Sequence, residues 1–323
     1  MGIKGLKNII KKHAPNAFQQ INITELYGKR IAIDTSILLY KFRYLYNDDY
    51  LIGFNNTINQ FAKNNVNIVF VFDGKPPDAK RETLQKRAET KNKAIQKIDD
   101  LITNFQQTHS GANQMEYIDD SVESVNTVNE LEELEELIAK KNVYIVTKEH
   151  SNAVRQMLNS KGIQYFEPDC EGEEYCSFLQ RTGVVDYVLT EDTDSLTFGA
   201  TKVLFNNNVF NKYLLCNLEI LLNDLQMSFE EFTDFCILCG CDYIPSIPKI
   251  GPVTALKIIK KYKNIDSFIK ENETLKKFSI PENFNYSLAR ELFTRNKEYR
   301  IPEINEIGNT FTNTFKNIPL FIN

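Results

Sequence analysis

The chain has 323 residues, 42% of them hydrophobic and 25% charged, which supports a substantial core in one large domain or two modest ones. No apolar run approaches the roughly 20 residues that span a bilayer and no signal-peptide core follows Met1, so the sequence reads as intracellular with no membrane partner: nuclear in a eukaryotic cell, or in the host cytoplasm or a viral factory if viral. The formal charge of −5 argues against a nucleic-acid partner until it is divided, because nine acids and no Lys or Arg lie between Glu116 and Glu136, and the remainder carries +4.

Residues 2–13 read as a short amphipathic helix, with Leu6, Ile9 and Ile10 on one side and Lys4, Lys7, Lys11 and Lys12 facing solvent. Gly28-Lys29-Arg30 turns into the apolar strand Ile31-Ala32-Ile33, which runs into Asp34, and residues 35–46 look helical. A second helix at 54–64, with Phe54, Ile58 and Phe61 at helical spacing, returns the chain to the strand Ile68-Val69-Phe70-Val71-Phe72, which runs into Asp73. This is a βαβ-type crossover between parallel strands. Pro76-Pro77 then ends regularity, and Lys80, Arg81, Lys86, Arg87, Lys91, Lys93 and Lys97 follow at largely helical spacing. By itself such a stripe is a solvated face; directly after a strand ending in aspartate it points towards phosphate contact. Residues 108–113 have the composition of a loop, part of 105–129 is expected to be mobile, and Leu131, Leu134, Leu137 and Ile138 give the second half of the acidic block a helical pattern.

A helix at 150–160 and a strand Ile163-Gln164-Tyr165-Phe166 lead to Glu171-Gly172-Glu173-Glu174, which opens another helix. Acids in a first turn are ordinary macrodipole partners, but alternate carboxylates just past a strand end repeat an arrangement already met twice. It recurs a further time: Val184-Val185-Asp186-Tyr187-Val188-Leu189 reads as a buried strand, with Asp192 and Asp194 beyond it. Residues 202–205 and 213–215 suggest an antiparallel hairpin at the sheet edge. A helix at 229–238 ends in Gly240-Cys241-Asp242, and the loop 246–251 opens a Lys-rich helix at 253–262, with Pro252 at its first position and free backbone amides before it. Residues from Ile301 onward read as a loosely attached tail. Cys236, Cys239 and Cys241 lack a second ligand pair, so the six cysteines read as reduced, mostly buried thiols.

The fold class that follows is α/β, a mostly parallel central sheet flanked by helices. In such sheets the ligand crevice lies beyond the carboxyl ends of the strands, where these acids would converge. Like charges crowded there need a counter-charge, and an oxygen-only ligand set without His or Cys favours Mg²⁺ or Mn²⁺ over Zn²⁺.

Read together, Met1-Gly2-Ile3-Lys4-Gly5-Leu6, Ile33-Asp34-Thr35-Ser36, Val71-Phe72-Asp73-Gly74-Lys75-Pro76-Pro77, Glu171-Gly172-Glu173, residues 190–199, and Gly240-Cys241-Asp242-Tyr243 continuing to Ile250-Gly251-Pro252 resemble the flap endonuclease 1 branch of the XPG family of structure-specific 5′ nucleases. The match runs from residue 1 to about 262. It implies a PIN-like 5′ nuclease fold: an N-terminal nuclease region (1–98), an inserted helical arch (75–160) carrying the acidic block 116–136, an internal nuclease region (161–240), a helix-two-turn-helix DNA-binding region (241–300) and a tail (301–323). It further implies two Mg²⁺ ions per site, with Mn²⁺ able to substitute: Asp34, Asp73 and Glu173 around one, Glu173, Asp192 and Asp194 around the other, and Glu171 and Asp242 acting through water. Lys80 and Arg87 would meet the scissile phosphate as catalytic residues, Tyr40 would stack on the base beside the cut, and Gly2 would lie against DNA. Ser246, Ile247, Ile250, Gly251, Lys257 and Lys260 would grip the duplex, with a K⁺ between loop carbonyls and a phosphate. The implied activity is that of a monomeric 5′ flap endonuclease with 5′ to 3′ exonuclease activity, acting on branched DNA with a 5′ single-stranded flap in replication, repair or recombination.

The chain departs from the family pattern in places. The interval from Asp34 to Asp73 is short where the family holds a 3′ flap, the arch region is long and acidic, Pro248-Lys249 replaces the usual Arg-Gly, and the C-terminus shows no clear sliding-clamp motif, so a clamp partner stays open. A 5′ to 3′ exonuclease or junction resolvase of the same superfamily, and a non-catalytic DNA-junction binding module, are the competing readings. The second would have lost carboxylates, and all seven positions are intact.

Overall fold

The computed structural model describes residues 2–110 (backbone only from 105), 146–206, 211–294 and 299. The acidic block 116–136, the rest of the stretch expected to be mobile and the tail 301–323 lie outside the described residues. The chain divides into two units, one of Met1–Ile37, Ile58–Arg81 and Leu158–Asn323, the other of Leu38–Thr57 and Glu82–Met157.

The first unit is built on a seven-stranded sheet in the order β1-β7-β6-β5-β2-β3-β4: β1 Phe18–Asn22, β2 Arg30–Asp34, β3 Asn67–Val71, β4 Tyr165–Phe166, β5 Tyr187–Leu189, β6 Lys202–Asn206 and β7 Lys212–Asn217. The five strands from β6 to β4 are mutually parallel, as expected. Ile31, Ala32, Ile33, Val69, Phe70 and Val71 are all fully buried, which is why these strands read as unbroken apolar runs rather than alternating ones. β6 and β7 form the expected antiparallel hairpin, but the hairpin is not the sheet's edge. β1 pairs antiparallel with β7 outside it, a strand hidden from sequence reading by the exposed Gln19 and Gln20.

Register sets the height of each strand end. Ile33 lies opposite Leu189, Leu189 opposite Leu204, and Asp34 opposite Val71, so the residues that follow β5 and β3 emerge at the level of Asp34. Helix α1 (Leu6–His13) starts later than expected, after Gly5, whose left-handed backbone (φ 67°) caps it. Helix α6 (Gly172–Arg181) packs on β2, β3 and β5. Helix α9 (Phe229–Cys239) begins with a Ser228/Glu231 capping box and packs against α10 (Pro252–Tyr262), which has Pro252 in its first turn as expected, and α12 (Tyr286–Thr294).

In the second unit, α2 (Thr35–Tyr46) and α3 (Leu51–Lys63) meet through Phe42 and Phe54, whose rings are 5.0 Å apart edge to face. The buried Arg43 side chain donates to Asn47 O (2.8 Å) and Asp48 Oδ1 (2.7 Å), closing the turn between the helices. Helix α4 (Arg81–Ser110) carries the basic stripe, with Lys86, Arg87, Lys93 and Lys97 exposed. Residues 108–110, read as loop, are its last turn. Helix α5 (Lys148–Ser160) follows. All six cysteines are buried and none is in a disulfide, and among the described residues no helix is long and apolar enough to cross a membrane.

Candidate metal centre

Each acid reaches the carboxyl edge of the sheet by a different local device. Asp34 is the last residue of β2, and its oxygens accept from Ser36 N–H and the Thr190 hydroxyl, both at 3.1 Å. Asp73 lies two residues past β3 and is exposed; it accepts from the Ser36 hydroxyl and from Gly172 N–H at 2.8 Å. Gly74 has to be glycine, because a Cβ there would stand 1.8 Å from the Pro168 carbonyl. Glu171 occupies the residue before α6, without a side-chain capping bond, and Glu173 sits in its first turn, where the helix dipole favours negative charge. Asp192 N–H donates to the Thr190 hydroxyl (3.0 Å) and Asp194 N–H to Asp192 Oδ1 (2.9 Å), a tight turn that opens the one-turn helix α7 (Asp194–Thr197). Asp242 follows α9 through Gly240, whose φ of 110° is open only to glycine.

The N-terminal segment buttresses that turn. A Cβ on Gly2 would come within 2.0 Å of Asp192 Oδ1, so the backbone of residue 2 lies directly on the acid. Lys7 pairs with Glu191 at 2.8 Å, and Glu191 also accepts from Asn206 N–H (2.7 Å).

Glu173, Asp192 and Asp194 converge, each offering an oxygen within 4.8 Å of the others, and all three are buried. Asp194 is wholly inaccessible and neither of its oxygens has a hydrogen-bond donor. Burial raises Asp194 well above the usual carboxylate range, helped by Asp192 and Asp242, and raises Glu173 likewise, helped by Asp192. Burial, with Asp73 and Asp192 beside it, pushes Asp34 up to about 7. Glu171 and Asp192 are also raised, again chiefly by burial. Acids this buried stay ionised only against a positive partner. An all-oxygen donor set with two unclaimed oxygens fits a hard divalent cation such as Mg²⁺ or Mn²⁺.

One partner is supplied by the chain. Lys80 is buried, with its ammonium on Glu171 Oε1, 3.2 Å from Asp242 Oδ2 and 3.8 Å from Glu173 Oε1. Burial would pull its pKa down, but Glu173 and Glu171 more than reverse this and hold it above the usual lysine range. Tyr243, not among the expected site residues, donates its hydroxyl to Glu171 Oε2 at 2.9 Å. Ser36 and Thr190 were also missed; their signal is a hydroxyl two residues after Asp34 and two before Asp192.

The fold therefore brings the seven acids, Lys80 and Gly2 into one unit. Tyr40 (37% exposed) and the exposed Arg87 belong to the other. At the loop 246–251, Ile247 and Ile250 bury their side chains and Ile250 N–H donates to Ile247 O (3.1 Å), while Lys257 and Lys260 are exposed on α10. Lys4 donates from Nζ to the Ser246 hydroxyl (3.2 Å) and from its backbone to Gly240 O (3.3 Å), tying this loop to the N-terminus. Lys249 adopts φ 67°, so lysine carries a left-handed turn in the segment where the family pattern has glycine.

Comparison with known proteins agrees on one family. Residues 1–94 match the XPG N-terminal domain and residues 162–242 the XPG I-region. A flap endonuclease 1 of Aedes aegypti is 35% identical over 312 residues, covering 91% of this chain and 74% of that protein. One of Caenorhabditis elegans is 34% identical over 320 residues, covering 94% and 76%. The catalytic core of Rad2 in complex with a DNA substrate shares the fold, with a TM-score of 0.66 at 21% identity over 91% of this chain and 87% of that one. With matched regions that span both halves of the acid cluster, the chain belongs to the XPG family of structure-specific 5′ nucleases, metal-dependent phosphodiesterases.

Proposed function

We propose that the chain is a 5′ flap endonuclease, with accompanying 5′ to 3′ exonuclease activity, that cuts DNA where single strand meets duplex. The observation that carries this is the buried convergence of Glu173, Asp192 and Asp194, with both Asp194 oxygens unclaimed, in a chain 33–35% identical to curated flap endonucleases. Glu173, Asp192 and Asp194 would hold one divalent cation, Asp34, Asp73 and Glu173 a second, and Glu171 and Asp242 would orient water at its margin. Two such cations, Mg²⁺ or Mn²⁺, supply Lewis acidity and water activation for in-line phosphodiester hydrolysis.

The chain's own side chains do the rest. Lys80 offers a preformed positive charge to the scissile phosphate, worth most as charge builds on the phosphoryl oxygens. Arg87 adds a forked donor, and Tyr40 a stacking surface for the base beside the cut, a contact typically worth about 1–3 kcal/mol. Gly2, at Asp192, lets backbone approach the strand where any side chain would block it. The main chain of 246–251, with Ser246 and Gly251, and the cations Lys257 and Lys260 would hold downstream duplex phosphates, with K⁺ as a further bridge at that loop.

The test is a panel of matched 5′-flap, double-flap, nicked, blunt and four-way DNA substrates with Mg²⁺. Flap cleavage at the junction, abolished in Asp192→Ala while DNA binding persists, is expected. Preferential cutting of the four-way substrate would assign the chain to junction resolution instead, and an uncut panel would sink the enzymatic reading.

A further inference from the structure

The acids of the centre are not equally ready for a cation. On one side, Asp194 presents two buried oxygens with no donor, and Glu173 and Asp192 lie within 4.8 Å of it. That side is preformed. On the other side the oxygens are already engaged. Glu171 has one oxygen on Lys80 and the other on the Tyr243 hydroxyl, Asp242 Oδ2 is on Lys80, and both Asp73 oxygens take donors from Ser36 and Gly172. The Lys80 ammonium is itself a cation and lies on Glu171 and Asp242 and 3.8 Å from Glu173 Oε1, so a second divalent ion at Asp34, Asp73 and Glu173, with Glu171 and Asp242 at its margin, would meet like charge at close range.

Lys80 cannot satisfy these acids and a phosphate together, because a lysine ammonium is a single compact charge with three donors. We propose that Lys80 is the gate for the second cation: without DNA the protein holds one divalent ion at Glu173, Asp192 and Asp194, and the second enters when a substrate phosphate draws the ammonium away from Glu171 and Asp242. This rests on the metal-centre reading given above and adds its regulation. Its consequence is that the full pair of ions assembles only over a bound strand, so the free enzyme carries no complete hydrolytic centre.

The test counts ions rather than turnover. Mn²⁺ is titrated into the DNA-free full chain and free Mn²⁺ is read by electron paramagnetic resonance. Wild type should show one tight site, with any second at least tenfold weaker. Lys80→Gln and Lys80→Met should tighten the second at least tenfold. Two equally tight sites in wild type, or a second site unmoved in both variants, would overturn the gate. Thermal melts run in parallel. Should both variants fail to fold, the decision falls to wild type with Ca²⁺ and calorimetry: saturation with 5′-flap DNA, after subtraction of DNA alone, should raise the count from one ion to two, and an unchanged count overturns the proposal. Failure of the underlying reading looks different, since wild type would then bind no ion tightly and Asp194→Asn would change nothing.

Discussion

Asp194 shows what the site asks of a single residue. It is fully buried with both oxygens unpartnered, so in the absence of a cation its ionised form is a liability to the fold. Asp194→Asn removes the charge at constant shape and gives Glu173 and Asp192 a donor. In EDTA this variant should be more stable than wild type by about 1–3 kcal/mol, and it should lose both the Mg²⁺-induced rise in melting temperature and DNA cutting. A lower melting temperature in EDTA would mean that the buried Asp194 carboxyl is satisfied by a partner that asparagine cannot replace. Lys249 is the converse case, an exposed side chain on a left-handed backbone. Strain of about 1–2 kcal/mol, set against the extra unfolded-state freedom of glycine, leaves Lys249→Gly more stable by about 0.5–1 kcal/mol. Urea denaturation reads that gain directly, and a loss would show that Lys249 makes a compensating contact.

Among elements, the C-terminal helices are held by one ion-pair network. Arg290 on α12 donates to both Asp234 oxygens (2.6 Å each) and to Asp266 Oδ2 (2.7 Å), while Ile265 N–H donates to Asp234 Oδ2 (2.8 Å). Asp234, on α9, has a side chain only 4% exposed. Arg290→Met would strand that carboxylate and should cost about 3–5 kcal/mol; adding Asp234→Asn to it should recover part of the loss, as measured by urea unfolding. If the double variant is less stable than Arg290→Met alone, the cost lies in helix packing and not in the orphaned charge. Nothing in the sequence pairs residues 56 apart, which is why this network was invisible there, whereas β2 and β3 were plain because strands buried on both faces leave continuous apolar runs. Asp34, Asp73, Asp192 and Asp194 were legible for the same reason, each standing at or just past such a run, whereas Asp242 follows a helix and was reached through the family motif. β1 was not, because an edge strand needs only one buried side chain, here Ile21, between polar neighbours. Lys80 was expected from sequence to meet the scissile phosphate; that it lies between Glu171 and Asp242 depends on how β3 and α9 are brought together, which no local pattern encodes.

For the molecule as a whole, the acid cluster makes stability depend jointly on pH and on divalent cation. Asp34 is pushed from an ordinary 3.8 to about 7, so between those two values its folded carboxyl holds a proton that the unfolded chain has released, and burial raises Glu171, Glu173, Asp192 and Asp194 in the same direction. Stability of the metal-free protein therefore falls as pH rises through this window, at up to about 1.4 kcal/mol per pH unit for each such proton. From pH 5.5 to 7 Asp34 alone accounts for about 2 kcal/mol, with no further loss from it above its folded value. A divalent cation binds the ionised acids and stabilises only the folded chain, so it acts in the opposite direction and most strongly where those acids are already deprotonated. Melting temperatures in EDTA should thus decline from pH 5.5 to 8, those in 10 mM Mg²⁺ (about 10 mM being ample for a typical carboxylate site) should stay flatter, and the gain from Mg²⁺ should be larger at pH 8. Asp194→Asn should shrink that gain at every pH. A Mg²⁺ effect independent of pH would place the ion away from the buried cluster, because buried acids of raised pKa couple proton release to metal uptake in this range.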